Sequence, residues 1–383
     1  MVKLLLSVLS TLALSLVAYV EAAPTAGLQH VAPKVVALDF DVQRKDISNT
    51  THTKRSDLVP LSNKGIFYIA YLLFGSQQSK VGVDVDTGSS DLWVPSPQSG
   101  SAATPFGSYD PSGSSSSQDT GNAFNIQYGE PGDETYAYGE YYTDTVAFAD
   151  GSSPLQNFQF ASVGNTNIDN GGILGVGLTS LEAAETTYPN LPQALKDAGY
   201  IDKNAYSLYL NTVDASSGSI LFGGKDLAKI DGPLVTLPHS GDSDRLDATL
   251  NGLTYNGLSL SINQPFNFDS GTSVLVLDQN SYTQLATALG WDGSTLYQGL
   301  PEVTSIPSGS VTFEFDGISI DVPGSDIAAT SSDGTVFLQL LSGELPILGD
   351  PFLRNAYLVY DLDDSSIGVA KVKYTTASNI VAL

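Results

Sequence analysis

The feature that most constrains the fold of this 383-residue chain is a short motif that occurs twice, far apart in the sequence. The run Val85–Ser90 (VDTGSS) recurs as Phe268–Ser273 (FDSGTS), and an apolar segment follows each copy. An Ile-Leu-Gly triplet then follows at a similar distance, at Ile173–Gly175 and at Ile347–Gly349. Self-similarity at long range indicates duplicated structural units. The sequence therefore predicts two homologous lobes that face each other across a cleft, each contributing one aspartate.

The pattern between these motifs is that of an all-β protein. Short runs of alternating apolar and polar residues are broken by Gly, Ser, Asn and Pro. Helical signals are few. One short helix is expected to begin at Asp278 or Ser281 and to end at Gly290, and another is expected over residues 192–198. We therefore expect two pseudo-symmetric β lobes with an active-site cleft between them.

The N-terminal region has the features of processing signals. Lys3 precedes a run of apolar and small residues that reaches Val20 and ends in a small-residue cleavage pattern. A membrane anchor is the alternative, but no basic stop-transfer cluster follows, so we expect a cleaved signal peptide and a secreted, extracellular protein. The next segment contains a glycosylation sequon at Asn49 and ends in the dibasic pair Lys54-Arg55, a predicted cleavage site. The predicted segments are a signal peptide (1–22), a propeptide (23–55), an N-terminal lobe (56–230) and a C-terminal lobe (231–383).

Composition narrows the chemistry. The chain has 16 Lys and Arg against 41 Asp and Glu, and its formal net charge of −25 disfavours binding to nucleic acid or to anionic membranes. It has no cysteine, which excludes disulfides, thiol nucleophiles and cysteine-ligated zinc. Only three histidines occur, and two of them lie in the predicted propeptide. We therefore expect a catalytic site that uses carboxylates and needs no metal and no cofactor. We also expect lower stability near neutral pH, where the carboxylates are charged and repel one another.

The two aspartates of the repeat, Asp86 and Asp269, are the candidate acid–base pair. Two carboxylates close enough to share one proton offer a base and an acid together. One can then deprotonate a water while the other donates a hydrogen bond to a substrate carbonyl. Four neighbours are expected to support the pair, two glycines that admit backbone N–H groups and two side chains that bring hydroxyls: Gly88, Gly271, Ser89 and Thr272.

These motifs resemble those of pepsin-like aspartic endopeptidases, and more closely those of the candidapepsin-like secreted aspartic proteases of yeasts. The resemblance extends over the predicted mature chain in five runs: Asp86–Pro95, Ile173–Gly175, Leu221–Asp226, Asp269–Ser273 and Ile347–Arg354. It implies a bilobal acid protease fold and hydrolysis of peptide bonds at acidic pH, beside hydrophobic residues and with sensitivity to pepstatin. It also implies protein or peptide substrates, inhibition by the chain's own propeptide, a monomeric state, and no membrane association once the signal peptide is removed.

The resemblance also assigns roles within the repeated motifs. Asp86 and Asp269 would be the catalytic pair. The hydroxyls of Thr87 and Ser270 would cross-link the two loops by bonds to backbone groups. Ser270 replaces the threonine that is more usual at this position, and it keeps the hydroxyl while losing a methyl group.

Outside those motifs, the resemblance implies a flap over the substrate. Tyr128 and Gly129 would belong to the flap, and the indole N–H of Trp93 would support the tyrosine. The tip of this flap is longer than in pepsin-like relatives and is acidic, with Glu130, Asp133 and Glu134. Lys34 is the residue we expect to reach the aspartate pair in the zymogen.

Three other interpretations have less support. A catalytically silent binding protein on the same scaffold would be expected to have lost an aspartate or its following glycine, and both are present in each motif. A glycosidase that uses two carboxylates has no positive indication, although two aspartates alone do not exclude it. A calcium loop at 361–364 fails because Ser366 occupies the position that requires glycine.

Overall fold

The computed structural model describes residues 34–44, 65–100, 102–129, 135–169, 171–240 and 244–383. Strands make up most of this part of the chain, which confirms the predicted all-β class. The strands of the first half are β1 (Val36–Arg44), β2 (Ile66–Phe74), β3 (Ser79–Asp86), β4 (Leu92–Pro95), β5 (Gln118–Tyr128), β6 (Thr135–Phe148), β7 (Leu155–Thr166), β8 (Gly172–Gly175), β9 (Ala205–Tyr209), β10 (Ser217–Phe222) and β11 (Gly224–Asp226).

The second half has a similar density of short strands. They are β12 (Ile230–Pro238), β13 (Asp247–Tyr255), β14 (Leu258–Phe268), β15 (Leu275–Leu277), β16 (Leu296–Tyr297), β17 (Leu300–Val303), β18 (Ser310–Phe315), β19 (Ile318–Pro323), β20 (Ala328–Thr330), β21 (Val336–Leu338), β22 (Leu340–Ser342), β23 (Ile347–Leu348), β24 (Ala356–Asp361), β25 (Ser366–Val372) and β26 (Ile380–Ala382). The helices are α1 (Leu191–Asp197), α2 (Gln279–Ala288), α3 (Gly324–Ile327) and α4 (Asp350–Leu353).

The largest sheet has thirteen strands, in the order β12-β25-β24-β9-β10-β1-β2-β3-β8-β4-β7-β6-β5, and β2 also pairs with β6. A second sheet of seven strands has the order β19-β18-β13-β14-β23-β15-β22. Two smaller sheets complete the fold, β16-β17-β21-β20 and β11-β26. The large sheet carries strands from both halves of the chain, so β9 of the first half pairs directly with β24 of the second.

The two halves repeat one unusual strand arrangement, which confirms the duplication predicted from the motifs. In the first half, β8 lies parallel to β3 and antiparallel to β4, while β4 lies parallel to β7. In the second half, β23 lies parallel to β14 and antiparallel to β15, while β15 lies parallel to β22. Each Ile-Leu-Gly triplet is therefore inserted between the strand that leads to an aspartate and the strand that leaves it. This shared plan defines the two lobes of a bilobal fold.

The glycine of each triplet is required by close packing against the aspartate loop. A Cβ atom on Gly175 would lie 2.5 Å from the backbone nitrogen of Ser90, and one on Gly349 would lie 2.2 Å from the carbonyl oxygen of Thr272. Real Cβ atoms do not approach backbone atoms so closely. The Ile-Leu-Gly motif is thus a packing requirement of the loop that carries each aspartate.

Both predicted helices are present. The side chain of Asp278 accepts hydrogen bonds from the backbone N–H groups of Asn280 and Ser281, so Asp278 is the N-cap of α2. Gly290 follows this helix with a φ of 108°, as expected of a glycine that ends a helix. Helix α1 begins one residue earlier than predicted, at Leu191. None of the helices in the described ranges is long and apolar enough to cross a membrane.

We predict that Gly175→Ala and Gly349→Ala each lower the free energy of unfolding by about 2 kcal/mol or more, because the added methyl group displaces the backbone of an aspartate loop. Gly164→Ala is the matched control, since its Cβ would meet only the Ser96 hydroxyl oxygen, at 3.9 Å. That control should change stability by no more than about 0.5 kcal/mol. Urea unfolding of the three variants measures the difference, and equal losses would contradict the packing explanation.

Candidate active site

The two repeated aspartates meet at one place in the structure. β3 ends at Asp86, and Asp269 directly follows the end of β14. Their side chains are almost buried, with Asp86 5% exposed and Asp269 8% exposed. A Cβ atom on Gly271 would lie 2.3 Å from Oδ1 of Asp86 and 2.9 Å from Oδ1 of Asp269, so both oxygens surround a single point. A Cβ on Gly88 would likewise lie 2.5 Å from the carboxyl carbon of Asp269. Glycine at both positions keeps the space between the carboxylates open.

Asp86 is held by two donors from its own loop. The backbone N–H of Gly88 donates to Oδ1 at 2.9 Å, and the hydroxyl of Ser89 donates to Oδ2 at 2.5 Å. The inner oxygen, which faces the second aspartate, therefore receives a backbone bond, and the outer oxygen receives a hydroxyl. This set of donors fixes the plane of the carboxyl group.

Asp269 is held by the same set of donors. The backbone N–H of Gly271 donates to Oδ1 at 2.7 Å, and the hydroxyl of Thr272 donates to Oδ2 at 2.6 Å. The four supporting residues expected from the sequence thus occupy equivalent places around the two carboxylates. A water at the shared point could lose a proton to one carboxylate while the other, protonated, donates to a carbonyl.

The two aspartate loops are joined by an exchange of hydrogen bonds between Thr87 and Ser270. The hydroxyl of Thr87 donates to the carbonyl of Phe268 at 2.8 Å and accepts from the Ser270 N–H at 3.0 Å. The hydroxyl of Ser270 donates to the carbonyl of Val85 at 2.7 Å and accepts from the Thr87 N–H at 3.2 Å. These bonds use the serine hydroxyl alone, so the threonine methyl group that Ser270 lacks is not needed for them.

Tyr128 lies at the end of β5 and is hydrogen-bonded to Trp93, which lies on the strand that follows the Asp86 loop. The indole N–H of Trp93, which is fully buried, donates to the Tyr128 hydroxyl at 2.7 Å. Burial, followed by the negative charge of Asp86, raises the pKa of Tyr128 well above its ordinary value. The hydroxyl therefore remains protonated. Gly129 follows with a φ of 92°, a conformation that glycine adopts without strain.

A buried acidic cluster behind this tyrosine was missed by sequence reasoning. The carboxylate of Asp91, which is fully buried, accepts hydrogen bonds from the hydroxyls of Tyr141 and Tyr188 at 2.7 and 2.8 Å and from the Ala183 N–H at 2.8 Å. Tyr141 and Tyr188 belong to the same hydrophobic cluster as Trp93. An acidic residue directly before the apolar run Leu92–Val94 is the sequence signal that could have indicated a buried, hydrogen-bonded carboxylate.

Glu182 is the second acid of this cluster. It is 9% exposed, and its Oε2 atom accepts a hydrogen bond from the Tyr188 N–H at 2.7 Å. Within the described part of the chain, its Oε1 atom has no hydrogen-bond partner. The pKa of Glu182 is raised to about 8, mainly by burial; the hydrogen bond from the Tyr188 N–H lowers it, and the charge of nearby Asp91 raises it. Glu182 is therefore neutral in acid and becomes charged near pH 8.

Lys34 does not lie at the aspartate pair, and the prediction that it reaches the pair is wrong in this structure. Its ammonium group is 2.9 Å from Oδ1 of Asp202. The reason is the position of β1, which begins two residues later and pairs Val36 with Phe222 in the large sheet. Several sequence-predicted sites lie outside the described residues: Asn49, Lys54, Arg55, Glu130, Asp133 and Glu134.

Comparisons with known proteins agree with this architecture. An aspartic proteinase from Irpex lacteus of known structure matches with a TM-score of 0.69 over 90% of this chain and 100% of that one, at 22% identity, which supports the fold. Candidapepsin from Candida tropicalis is 41% identical over 93% of both chains. Candidapepsin-3 from Candida albicans is 41% identical over 97% of this chain and 98% of its own.

The fold and the paired aspartate loops define the pepsin-like class of aspartic proteases. The family model for eukaryotic aspartyl protease matches residues 67–372. The chain belongs to the eukaryotic aspartyl protease family, and it is an aspartic-type endopeptidase.

We predict that Glu182 makes the protein less stable as the pH rises from about 4.5 to about 8. In this window the folded state keeps a proton that the unfolded state releases, so the free energy of unfolding falls as the pH rises. The expected slope is at most about 1.4 kcal/mol per pH unit, and the full contribution is present below pH 4.5.

Glu182→Gln should flatten this dependence, because the amide carries no charge at any pH. Glu185→Gln is the control, since Glu185 is exposed and three residues away. Melting temperatures of the two variants and the wild type between pH 4 and pH 8 test the prediction. Equal slopes for Glu182→Gln and Glu185→Gln would rule out Glu182 as the source.

Proposed function

We propose that this chain is a secreted aspartic endopeptidase that hydrolyses peptide bonds at acidic pH with water activated between Asp86 and Asp269. The observation that carries the proposal is the meeting of two carboxylates around one point, each with an equivalent pair of donors. Names of the relatives, such as secreted aspartic protease 3 from Candida albicans, support secretion.

The proposed chemistry uses the two inner oxygens. With one proton shared by the pair, the ionised aspartate takes a proton from the water, and the water oxygen bonds to the substrate carbonyl carbon. The protonated aspartate gives its proton to the carbonyl oxygen, which forms a tetrahedral gem-diol. The aspartate that took the water proton then gives it to the amide nitrogen, the other aspartate takes a proton from a gem-diol hydroxyl, and the carbon–nitrogen bond breaks to leave a carboxylic acid and an amine. Each aspartate acts once as a base and once as an acid, so the enzyme returns to its starting state.

Substrates of this enzyme are proposed to be extended protein or peptide chains, cut beside hydrophobic residues by a monomeric enzyme. The Tyr128 hydroxyl accepts from Trp93 and keeps its own proton, so it can donate to a substrate carbonyl or a bound water. The acidic groups Glu130, Asp133 and Glu134 lie close by in sequence and would disfavour acidic peptides on that side.

Residues 23–55 are proposed to be an inhibitory propeptide that precedes lobes at 56–230 and 231–383. Strand β1 lies wholly inside this segment and pairs with both β10 and β2 in the large sheet. Cleavage after Lys54-Arg55 would leave β1 attached by noncovalent contacts alone. Because β1 fills an interior place in the sheet, maturation must then replace it or retain it as a bound strand.

We predict that the mature chain hydrolyses an acid-denatured protein at pH 3–4 and that pepstatin inhibits this hydrolysis completely. Asp86→Asn and Asp269→Asn should each reduce kcat by at least about a thousandfold, because neither variant can share a proton across the pair. Asp316→Asn, an exposed residue of the β18–β19 turn, is the matched control and should keep wild-type activity.

Two outcomes would contradict this proposal. A folded wild type that is inactive at every acidic pH would favour the silent binding scaffold. Activity that survives in Asp86→Asn or Asp269→Asn would place the chemistry elsewhere.

Processing is predicted to produce a mature chain that begins at Ser56. Replacement of both Lys54 and Arg55 by Ala should cause the precursor to accumulate, because the dibasic recognition site is lost. Lys45→Ala, which removes another basic residue of the same segment, is the control and should mature normally. Intact mass and N-terminal sequencing of the secreted protein measure the outcome. A mature N-terminus at Ser56 in the double variant would refute the dibasic site.

A further inference from the structure

Two buried tyrosines lie next to each other beneath the aspartate loops. Tyr206 of β9 and Tyr360 of β24 are directly opposite each other where the strands of the two halves pair. Their rings stack with centroids 4.9 Å apart and an interplanar angle of 16°. Tyr206 is 0% exposed and Tyr360 is 1% exposed. Burial is the main reason that both hydroxyls stay protonated, because it raises the pKa of each well above its ordinary value.

The hydroxyl of Tyr360 bonds to the backbone of an aspartate loop. It donates to the carbonyl oxygen of Phe268 at 3.0 Å. The same oxygen accepts the hydroxyl of Thr87 at 2.8 Å, from the other lobe. The peptide group that joins Phe268 to Asp269 is therefore held by two hydroxyls from different directions.

The corresponding carbonyl of the first lobe has a different environment. The Val85 oxygen accepts the Ser270 hydroxyl at 2.7 Å, and no tyrosine hydroxyl bonds to it within the described part of the chain. The Tyr206 hydroxyl, although buried beside Tyr360, also has no hydrogen-bond partner among the described residues. The support of the two aspartates is thus asymmetric: one tyrosine hydroxyl bonds to the Asp269 loop, and among the described residues no counterpart bonds to the Asp86 loop.

We propose that Tyr360 is a positioning residue that fixes Asp269 for proton transfer through the Phe268 carbonyl. This inference rests on the proposed function. A carbonyl with two donors cannot rotate without breaking one bond, so its peptide plane, and the Asp269 carboxylate that follows it, is restrained. Without the Tyr360 hydroxyl, the Phe268 carbonyl keeps its bond from Thr87, and the Asp269 N–H keeps its bond to the Leu348 carbonyl. A small displacement of Asp269 then weakens proton transfer, which depends on distances of hydrogen-bond length.

The effect of the lost bond should fall on catalysis more than on substrate binding. Tyr360 is buried below the loop, so it cannot contact a substrate, and the binding surface keeps its residues. In the wild type, the positive end of the Tyr360 hydroxyl dipole points at the Phe268 carbonyl, close to Asp269. Its removal makes a negative charge on Asp269 less favourable, so the acidic limb of the pH profile should move to higher pH.

Tyr206 and Tyr360 form a matched pair for the experiment. Tyr360→Phe removes the hydroxyl that bonds to Phe268 and keeps the stacked ring. Tyr206→Phe removes the hydroxyl without a partner and keeps the same stack. Each substitution removes one buried hydroxyl oxygen from one of two stacked rings. A general effect of losing a buried polar atom should therefore be similar in the two variants.

The measurement is kcat and KM for a peptide substrate from pH 2.5 to 6, together with the melting temperature of each mature variant. We expect Tyr360→Phe to lower kcat by about 3- to 10-fold, to change KM by less than about twofold, and to move the acidic limb upward. Tyr206→Phe should match the wild type in all of these.

Three results would overturn the proposal: unchanged kcat and pH profile in Tyr360→Phe, equal losses in both variants, or a fall in melting temperature without a change in kcat. Any of these in an active wild type that is inactivated by Asp86→Asn would leave the proposed function intact. A folded wild type without activity would remove both the proposed function and this inference.

Discussion

The exchange of hydroxyl bonds between Thr87 and Ser270 is the interaction on which the site depends. Each hydroxyl both donates to and accepts from the opposite loop, so neither loop can move without breaking bonds in both directions. The aspartates directly precede these residues in sequence. A restraint on the hydroxyls is therefore a restraint on the carboxylates, and two groups from distant parts of the chain acquire one fixed separation. The strand plan of each lobe serves mainly to deliver a loop to this junction.

The sequence was sufficient to predict those parts of the structure that depend on neighbouring residues and that occur in both copies of the repeated motif. The aspartates, their glycines and their hydroxyl neighbours lie within a few residues of each other in each copy, so the repeat alone indicated them. The Ile-Leu-Gly triplets were noticed as a pattern, and the contacts of Gly175 and Gly349 now give the reason. A glycine that packs against the backbone of another segment cannot be recognised from its own neighbours in the sequence. Here it could be recognised because the same triplet occurs in both halves.

What could not be predicted depends on contacts between segments far apart in sequence. Asp91 and Glu182 form one acidic cluster although ninety residues of chain separate them, and Tyr360 reaches the carbonyl of Phe268 from a distant strand. The prediction for Lys34 was wrong for a related reason. A lysine near a zymogen site can be guessed from its charge, but the pairing of β1 decides where its side chain ends, and β1 places it beside Asp202.

The buried acids also give a physical meaning to the excess of negative charge. A chain with a net charge of −25 is relieved of self-repulsion in acid, when its carboxylates take up protons. Surface charges contribute to this relief gradually and are screened by salt. Glu182 differs because it is buried, lies near the charge of Asp91 and accepts a hydrogen bond from Tyr188, which packs in the same cluster as Trp93 and Tyr128, so its ionisation would act on that cluster. The effect of Glu182 ionisation should therefore fall first on this cluster of the first lobe, which includes Trp93 and Tyr128, and not on the junction of Thr87 and Ser270.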